Sequence, residues 1–220
     1  NLSFDEWHVG FHSNAADEDI MQNHPWQIAP TLLEDVYNFE DALMVGLLLI
    51  TLLKHADRVK MACLAQLVNV IAPIMTDPNG GAAWRQTIFY PFMQASKYGR
   101  GSVLLPSMHV TEHETSGHGT VTDADAVAVY DDEKEEITIF AVNRTQSCDV
   151  ELTCDVRSFE GYAVKGHQIL RSDDLKAVNS SSAENVKPEE GAAFIMDGGI
   201  LTGILPKMSW NVIRLGMAEE

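Results

Sequence analysis

Val59-Lys-Met-Ala-Cys-Leu-Ala65 (VKMACLA) is a short, almost continuously apolar run broken by a single lysine. Runs of this kind are found in strands covered on both faces, as in the parallel sheets of α/β proteins. Upstream, Thr31-Leu-Leu-Glu34 offers a capping-box start to a long apolar helix that the pattern carries to about His55. Before that, Leu2 to Phe4 reads as the end of a strand, joined to the helix by a loop of mixed His, Asn, Asp and Pro. The order is strand, loop, helix, strand.

Downstream, a second loop runs through Pro73, Pro78, Asn79, Gly80 and Gly81, after which Thr87 to Tyr98 carries apolar residues at helical spacing and stops at Gly99. That makes a second unit of the same kind. Beyond Gly101 the period becomes two. Ala126–Tyr130 and Glu136–Val142 flank a charged turn, and Val150–Val156, Tyr162–Leu170 and Trp210–Leu215 continue the series. Short alternating segments of this kind predict an antiparallel, jelly-roll-like β-sandwich. The predicted boundary lies near Tyr98 to Gly101, giving an α/β unit at 1–99 and an all-β unit at 100–220. Two strand–helix units cannot close a parallel barrel by themselves, since they leave unpaired edges and a bare helix face. The pattern therefore predicts the last βα units of a (β/α)8 TIM barrel, the rest of which would lie upstream, followed by the sandwich.

Composition narrows the function. Of 220 residues 45% are hydrophobic, enough to fill globular cores, and the net charge is −17. The acid excess, with no Lys/Arg cluster, argues against nucleic acid and anionic membrane surfaces and leaves neutral substrates such as sugars open. The longest apolar run, Ala42 to Leu53 (ALMVGLLLITLL), is too short to cross a bilayer and reads as a buried helix. Three cysteines, Cys63, Cys148 and Cys154, make no disulfide framework and fit a reducing compartment.

If Leu2–Phe4 is a late barrel strand, Asp5 and Glu6 sit at its C-terminal end, where barrel enzymes place catalytic groups. Neighbouring strand residues point to opposite faces, so one carboxylate serves the mouth while the other braces an adjacent element. Trp7, His8, Phe11 and His12 add flat faces and hydrogen-bonding groups of the type that line sugar sites. A glycosidase needs a carboxylate on one side of the anomeric carbon and a carboxylic acid on the other. The plain alternative is that Asp5 and Glu6 cap a loop or pair with a surface base.

At this point the residues resemble a known family, the α-L-arabinofuranosidases of glycoside hydrolase family 51. FDEWHVGFHS (Phe4 to Ser13) is similar to the family's Phe-Asp-Glu-Trp-Asn-Val-Trp-Tyr-His-Ser. The resemblance extends through LLEDVYNFEDAL (Leu32 to Leu43), HADRVKMACLAQLVNVIAPIMT (His55 to Thr76), QTIFYPFMQASKYGRG (Gln86 to Gly101) and LPKMSWNVIRLG (Leu205 to Gly216). It implies that Glu6 is the nucleophile of a retaining mechanism and that Gln66 hydrogen-bonds the bound furanose, while Asn69 holds the loop. Asp5 becomes a supporting carboxylate.

The resemblance implies an exo-acting enzyme that releases terminal arabinofuranosyl groups from arabinan, arabinoxylan or their oligosaccharides, as an oligomer in a bacterial cytoplasm. It calls for no cofactor and no metal. The family's acid/base lies in an Asn-Glu pair on an earlier strand, and no such pair occurs here, so the isolated chain is expected to be inactive without an upstream barrel segment as partner. His8 replaces the family's Asn, and Gly10 replaces a Trp that would wall the sugar site; Trp26, together with Trp7 and His8, is a candidate substrate contact. The competing class is a non-catalytic carbohydrate-binding or structural β-sandwich module.

The remaining motifs read plainly. HVTEHETSGH, with His109, His113 and His118, has metal-like spacing but reads as a solvated inter-strand loop. Cys63 reads as a small buried hydrophobe, and the Asp131–Glu136 run as a hairpin turn facing water. Trp84, Phe89, Tyr90 and Phe92 read as packing a helix against the barrel, with Trp84 able to reach a site from its loop.

Overall fold

The computed structural model describes residues 1–10, 14–28, 34–77 and 80–218. Strands β1 (Leu2–Trp7) and β2 (Val59–Leu64) run parallel, with Phe4 opposite Ala62 and Trp7 opposite Leu64. The crossover that a parallel pair requires is made by α1 (Asn14–Asn23) and α2 (Phe39–Lys54). The polar α1 lies where the sequence predicts only loop.

Helix α2 begins later than predicted. Residues 31–33 lie outside the described residues, and Glu34 is not helical. The capping box is instead Asn38 with Asp41: the Asn38 side chain accepts from the Asp41 N–H at 3.1 Å, and Asp41 Oδ2 accepts from the Asn38 N–H at 2.8 Å. Two further orphan donors of the first turn, the N–H groups of Phe39 and Glu40, bond to Ala177 O and Leu175 O from the far part of the chain. The helix ends near His55, as the apolar pattern predicts. At 16 residues it is short for a membrane span, and no helix of the described residues is long and apolar enough to cross a membrane.

Beyond β2, a hairpin of β3 (Ile74–Thr76) and β4 (Ala83–Arg85) leads to α3 (Phe89–Tyr98), which ends at Gly99. There follow β5 (Ser102–Leu104), β6 (Glu112–Thr115), β7 (Gly119–Thr122), β8 (Ala124–Asp131), β9 (Glu136–Asn143), β10 (Val150–Asp155), β11 (Tyr162–Arg171), β12 (Asn179–Ser180), β13 (Ala183–Glu184), β14 (Glu189–Glu190), β15 (Ile195–Asp197), β16 (Ile200–Leu205) and β17 (Ser209–Met217). Six of them form one sheet in the order β14-β11-β17-β9-β8-β5, and β10-β16-β15 form a second. Every pairing in both is antiparallel.

The six-stranded sheet is the middle of three layers. One face, with Val127, Val129, Phe140, Val142, Trp210 and Val212, shares a core with Phe39, Val45 and Ile50 of α2 and with Tyr90 of α3. The other, with Ala126, Ile139, Ala141, Ile213 and Leu215, packs on Leu201 and Leu205 of the small sheet. Coverage on both sides explains why β9 is buried from Ile137 to Asn143. Helix α2 approaches closely because Gly46 faces Trp210, where a Cβ would lie 2.6 Å from the indole ring. Trp210 stacks on Phe140 and donates its Nε1–H to Gln94 Oε1 at 2.7 Å.

One expectation is corrected. VKMACLA forms the strand it predicts but is not covered on both faces: Lys60, Met61 and Cys63 are exposed, and only Ala62 and Leu64 lean on the core. Among the described residues β2 has β1 alone beside it, so its outer face meets nothing. For the same reason Cys63 is not the buried hydrophobe that its neighbours suggest.

Candidate active site

Parallel register brings the C-terminal ends of β1 and β2 together, so Glu6 on the first and Gln66 just beyond the second lie at one end of the pair. The pairing slips between Phe4 and Trp7, where β1 advances three residues while β2 advances two. The bulge falls on Asp5 and Glu6. Bulges re-aim side chains and recur beside active sites. Both carboxylates are exposed, but they differ in company: Asp5 accepts a bond from the Ser3 hydroxyl, while Glu6 has no hydrogen-bond or ion-pair partner among the described residues.

The next two residues turn inward. Trp7 is buried, its ring 6.3 Å from Phe92 of α3, and its Nε1–H meets no acceptor among the described residues. The structure thus places this predicted sugar contact in the core. His8 is half-buried; its ring lies 4.6 Å from that of Tyr37, Nδ1 is 2.6 Å from Val9 O, and Nε2 is buried without a partner among the described residues. At Gly10 an added Cβ would meet nothing within 4 Å, so the space expected there is open. Phe11 and His12 lie outside the described residues.

The loop under His8 is clamped by two residues to which the sequence reading gave no role. Gln86, 1% exposed, accepts from the Tyr37 N–H at 2.9 Å and donates to Asp35 O at 3.0 Å and Ala72 O at 2.9 Å. Thr87 donates its hydroxyl to Tyr37 O and Asn38 O. Their signal was two polar residues heading an apolar helix. Burial, reinforced by the charge of Asp35, pushes the Tyr37 hydroxyl well above its ordinary range, so it stays a donor, to Asp35 Oδ2 at 3.3 Å. Burial also raises the Asp41 carboxyl, against the Asn38 N–H and the nearby charges of Lys176 and His8.

Gln66 is exposed, follows a cis peptide at Ala65, and borders a groove of about 630 Å³ with Leu64, Phe92, Lys97 and Arg100. Asn69 has a φ of 64° and pins its loop to β3: its N–H bonds Ile74 O at 2.8 Å and its side chain bonds the Thr76 N–H at 2.8 Å. Trp26 is 95% exposed, so it walls nothing among the described residues. HVTEHETSGH contains β6 and the turn that leads into β7, so part of the expected inter-strand loop is itself a strand. In it His113 Nδ1 lies 2.6 Å from Asp123 Oδ1, and hydrogen bonds from Thr111 and then His113 hold the Asp123 carboxyl below its ordinary value. The described residues hold no group of three or more His, Cys, Asp or Glu placed to bind a metal ion.

An exposed carboxylate with no partner among the described residues, at the C-terminal end of a parallel strand, has the chemistry of a nucleophile, provided that a second carboxyl group supplies the proton. Asp5, tied to its own strand, is a poor second.

Comparison with known proteins gives the family. Residues 5–209 match the family described as the alpha-L-arabinofuranosidase C-terminal domain. The chain is 61% identical to the intracellular exo-α-(1→5)-L-arabinofuranosidase of Acetivibrio thermocellus, over 98% of this chain and 43% of that protein. It is 51% identical to intracellular exo-α-(1→5)-L-arabinofuranosidase 1 of Bacillus subtilis, over 98% of this chain and 42% of the relative. Among solved structures, AbfB, a family 51 α-L-arabinofuranosidase from Bifidobacterium longum, superposes with a TM-score of 0.83 at 38% identity, covering 97% of this chain and 42% of its own. The chain thus spans less than half the length of these relatives.

Proposed function

Since this chain belongs to the family 51 α-L-arabinofuranosidases and corresponds to the C-terminal portion of one, we propose that it supplies the nucleophile, Glu6, of a retaining exo-α-L-arabinofuranosidase. In this reading residues 1–99 are the last βα units of a (β/α)8 barrel and residues 100–220 the β-sandwich packed on it. The observation that carries the reading is Glu6 itself, exposed and unpartnered on a bulge at the end of β1, with Gln66 at the same end of β2.

The Glu6 carboxylate attacks the anomeric carbon of a terminal arabinofuranosyl group. The glycosidic C–O bond breaks as a carboxylic acid from an upstream barrel segment protonates the leaving oxygen, and water, deprotonated by the same group, then cleaves the glycosyl ester. Gln66 hydrogen-bonds the furanose, and His8, held against Tyr37, lines the site. Trp7 acts from beneath, by fixing the strand on α3. Trp26, from its exposed loop, is read as a further substrate contact. The substrates are arabinan- and arabinoxylan-type glycans. Both curated relatives described above are named intracellular, which supports a bacterial cytoplasmic enzyme. The outer edges of β1 and β2, unpaired among the described residues, suit completion by the upstream segment, and the assembled enzyme is read as a homo-oligomer.

The test is hydrolysis of 4-nitrophenyl α-L-arabinofuranoside by this chain, alone and assembled with a polypeptide that supplies the upstream barrel. The expected result is activity in the assembly only, reduced by at least about a thousandfold with Glu6→Ala. An active assembly whose rate is unaffected by Glu6→Ala would overturn the assignment.

A further inference from the structure

Two hairpins from distant parts of the chain meet in a cleft of about 540 Å³, lined by Ile74, Trp84, Arg85, Ser180, Ser182 and Glu184 among others. One hairpin, β3–β4, hangs from the C-terminal end of β2, the end that carries Gln66. The other, β12–β13, belongs to the segment whose Leu175 and Ala177 carbonyls cap the first turn of α2.

Buried Asn179 staples the two. Its side-chain Nδ2 donates to Arg85 O at 3.1 Å and to Val186 O at 2.8 Å, and its Oδ1 accepts from the Val186 N–H at 2.8 Å. The opening between them is therefore held by hydrogen bonds and does not depend on a ligand for its shape.

The lining chemistry is specific. Trp84, half-buried, supplies a large flat apolar surface. Around it stand the serine hydroxyls of β12–β13, with Ser180 Oγ 3.1 Å from Ser182 Oγ, and the pair Arg85 and Glu184. Arg85 Nη1 is 3.9 Å from Glu184 Oε1, with 57% and 42% of the two side chains exposed, so both retain unused hydrogen-bonding capacity. Glu184 also accepts from the Tyr90 hydroxyl, which fixes its position, and Arg85 lies over the Phe89 ring, 5.2 Å from its centroid. The local charges cancel, and the chain carries −17 overall, so an anionic ligand is disfavoured while a neutral polyhydroxylated one is not. An aromatic plane bordered by donors and acceptors, in a fixed cleft, is the usual way a protein holds a sugar ring: C–H faces on the indole, hydroxyls on the rim.

We propose that the Trp84 cleft is an accessory glycan subsite, formed jointly by the β3–β4 hairpin and the sandwich segment, that binds further neutral sugar residues of the polymer whose terminal arabinofuranosyl group the enzyme removes. The sugar class rests on the function proposed above, whereas the cleft rests on its own geometry. It gives the sandwich segment a direct part in substrate recognition.

The experiment is calorimetric titration of this chain with a linear α-(1→5)-arabinotriose and, separately, with xylotriose. Trp84→Ala is expected to weaken arabinotriose binding about tenfold and Trp84→Phe to restore most of it. Ser182→Leu, at an exposed position of the β12–β13 turn, fills the cleft without offering a ring and is expected to weaken binding as well. No binding of either triose to the intact chain, or affinity unchanged in both Trp84→Ala and Ser182→Leu, overturns the subsite. Equal binding of xylotriose, still lost with Trp84→Ala, upholds it as a sugar cleft and assigns it to the backbone of arabinoxylan, whereas failure of the nucleophile assignment is read separately from the Glu6→Ala rate.

Discussion

Gln86 shows how one residue holds the candidate site together. Its amide satisfies three backbone groups, from Asp35, Tyr37 and Ala72, in a place with no access to water. Gln86→Leu keeps the volume and orphans all three, at about 1–3 kcal/mol for each buried group left unpaired. With partial relaxation the expected loss is about 2–4 kcal/mol in urea denaturation, and an unchanged midpoint would mean that the clamp is not needed. A second residue-scale test concerns Asp155. Bonds from the Arg157 side chain and backbone hold its carboxyl at about 2, below the ordinary 3.8. A depressed folded value stabilises above the ordinary value and loses its effect as pH falls towards the folded one, so the window is pH 4 down to 2. The Asp155 carboxyl carbon should titrate near 2 by NMR and move up in Arg157→Gln; because the pair is exposed, salt should weaken the shift. The acidic motif and Gln66 were legible in the sequence, since their spacing follows a family pattern. Gln86 was not, because a sequence does not say which backbone groups distant in the chain will be left without partners.

At the scale of elements, α2 lies where packing and propensity disagree. Gly46→Ala improves helix propensity by about 1 kcal/mol. The new Cβ, however, would sit 2.6 Å from Cε3 of Trp210, which is itself locked by Phe140 and Gln94. Overpacking of a filled core costs about 1–3 kcal/mol, so the clash is expected to win and Gly46→Ala to be destabilised by about 1 kcal/mol in the same denaturation assay. A stabilised variant would show that α2 can shift away from β17. The helix and most long strands were readable from period, as β8, β9, β11 and β17 show. The start of α2 was not, because Thr31/Glu34 and Asn38/Asp41 both fit a capping pattern, and the choice falls to the pair whose neighbouring donors find Leu175 and Ala177. Nor was the exposure of β2, since an apolar run does not reveal which neighbours will cover it.

For the whole molecule, coverage is uneven. The six-stranded sheet is sealed by helices on one face and by the small sheet on the other, whereas among the described residues β1 and β2 pair only with each other, and Leu2, Phe4 and Met61 are exposed. Backbone amides of β9 and β17 should therefore exchange with deuterium at least about a hundredfold more slowly than those of β1 and β2, as read by exchange mass spectrometry. Similar rates would mean that the parallel pair is held by something beyond its pairing. A further consequence follows from the order of the strands. β17, the last described strand to be made, lies between β9 and β11, which are made long before it. On the ribosome, until Ser209–Met217 emerges, β9 and β11 each present an open edge, and the slot between Gly46 and Phe140 that Trp210 fills is empty. Folding of this sheet must wait for the end of translation of these residues, and a nascent chain stalled before Trp210 exposes two adhesive edges of the kind that chaperones exist to shield.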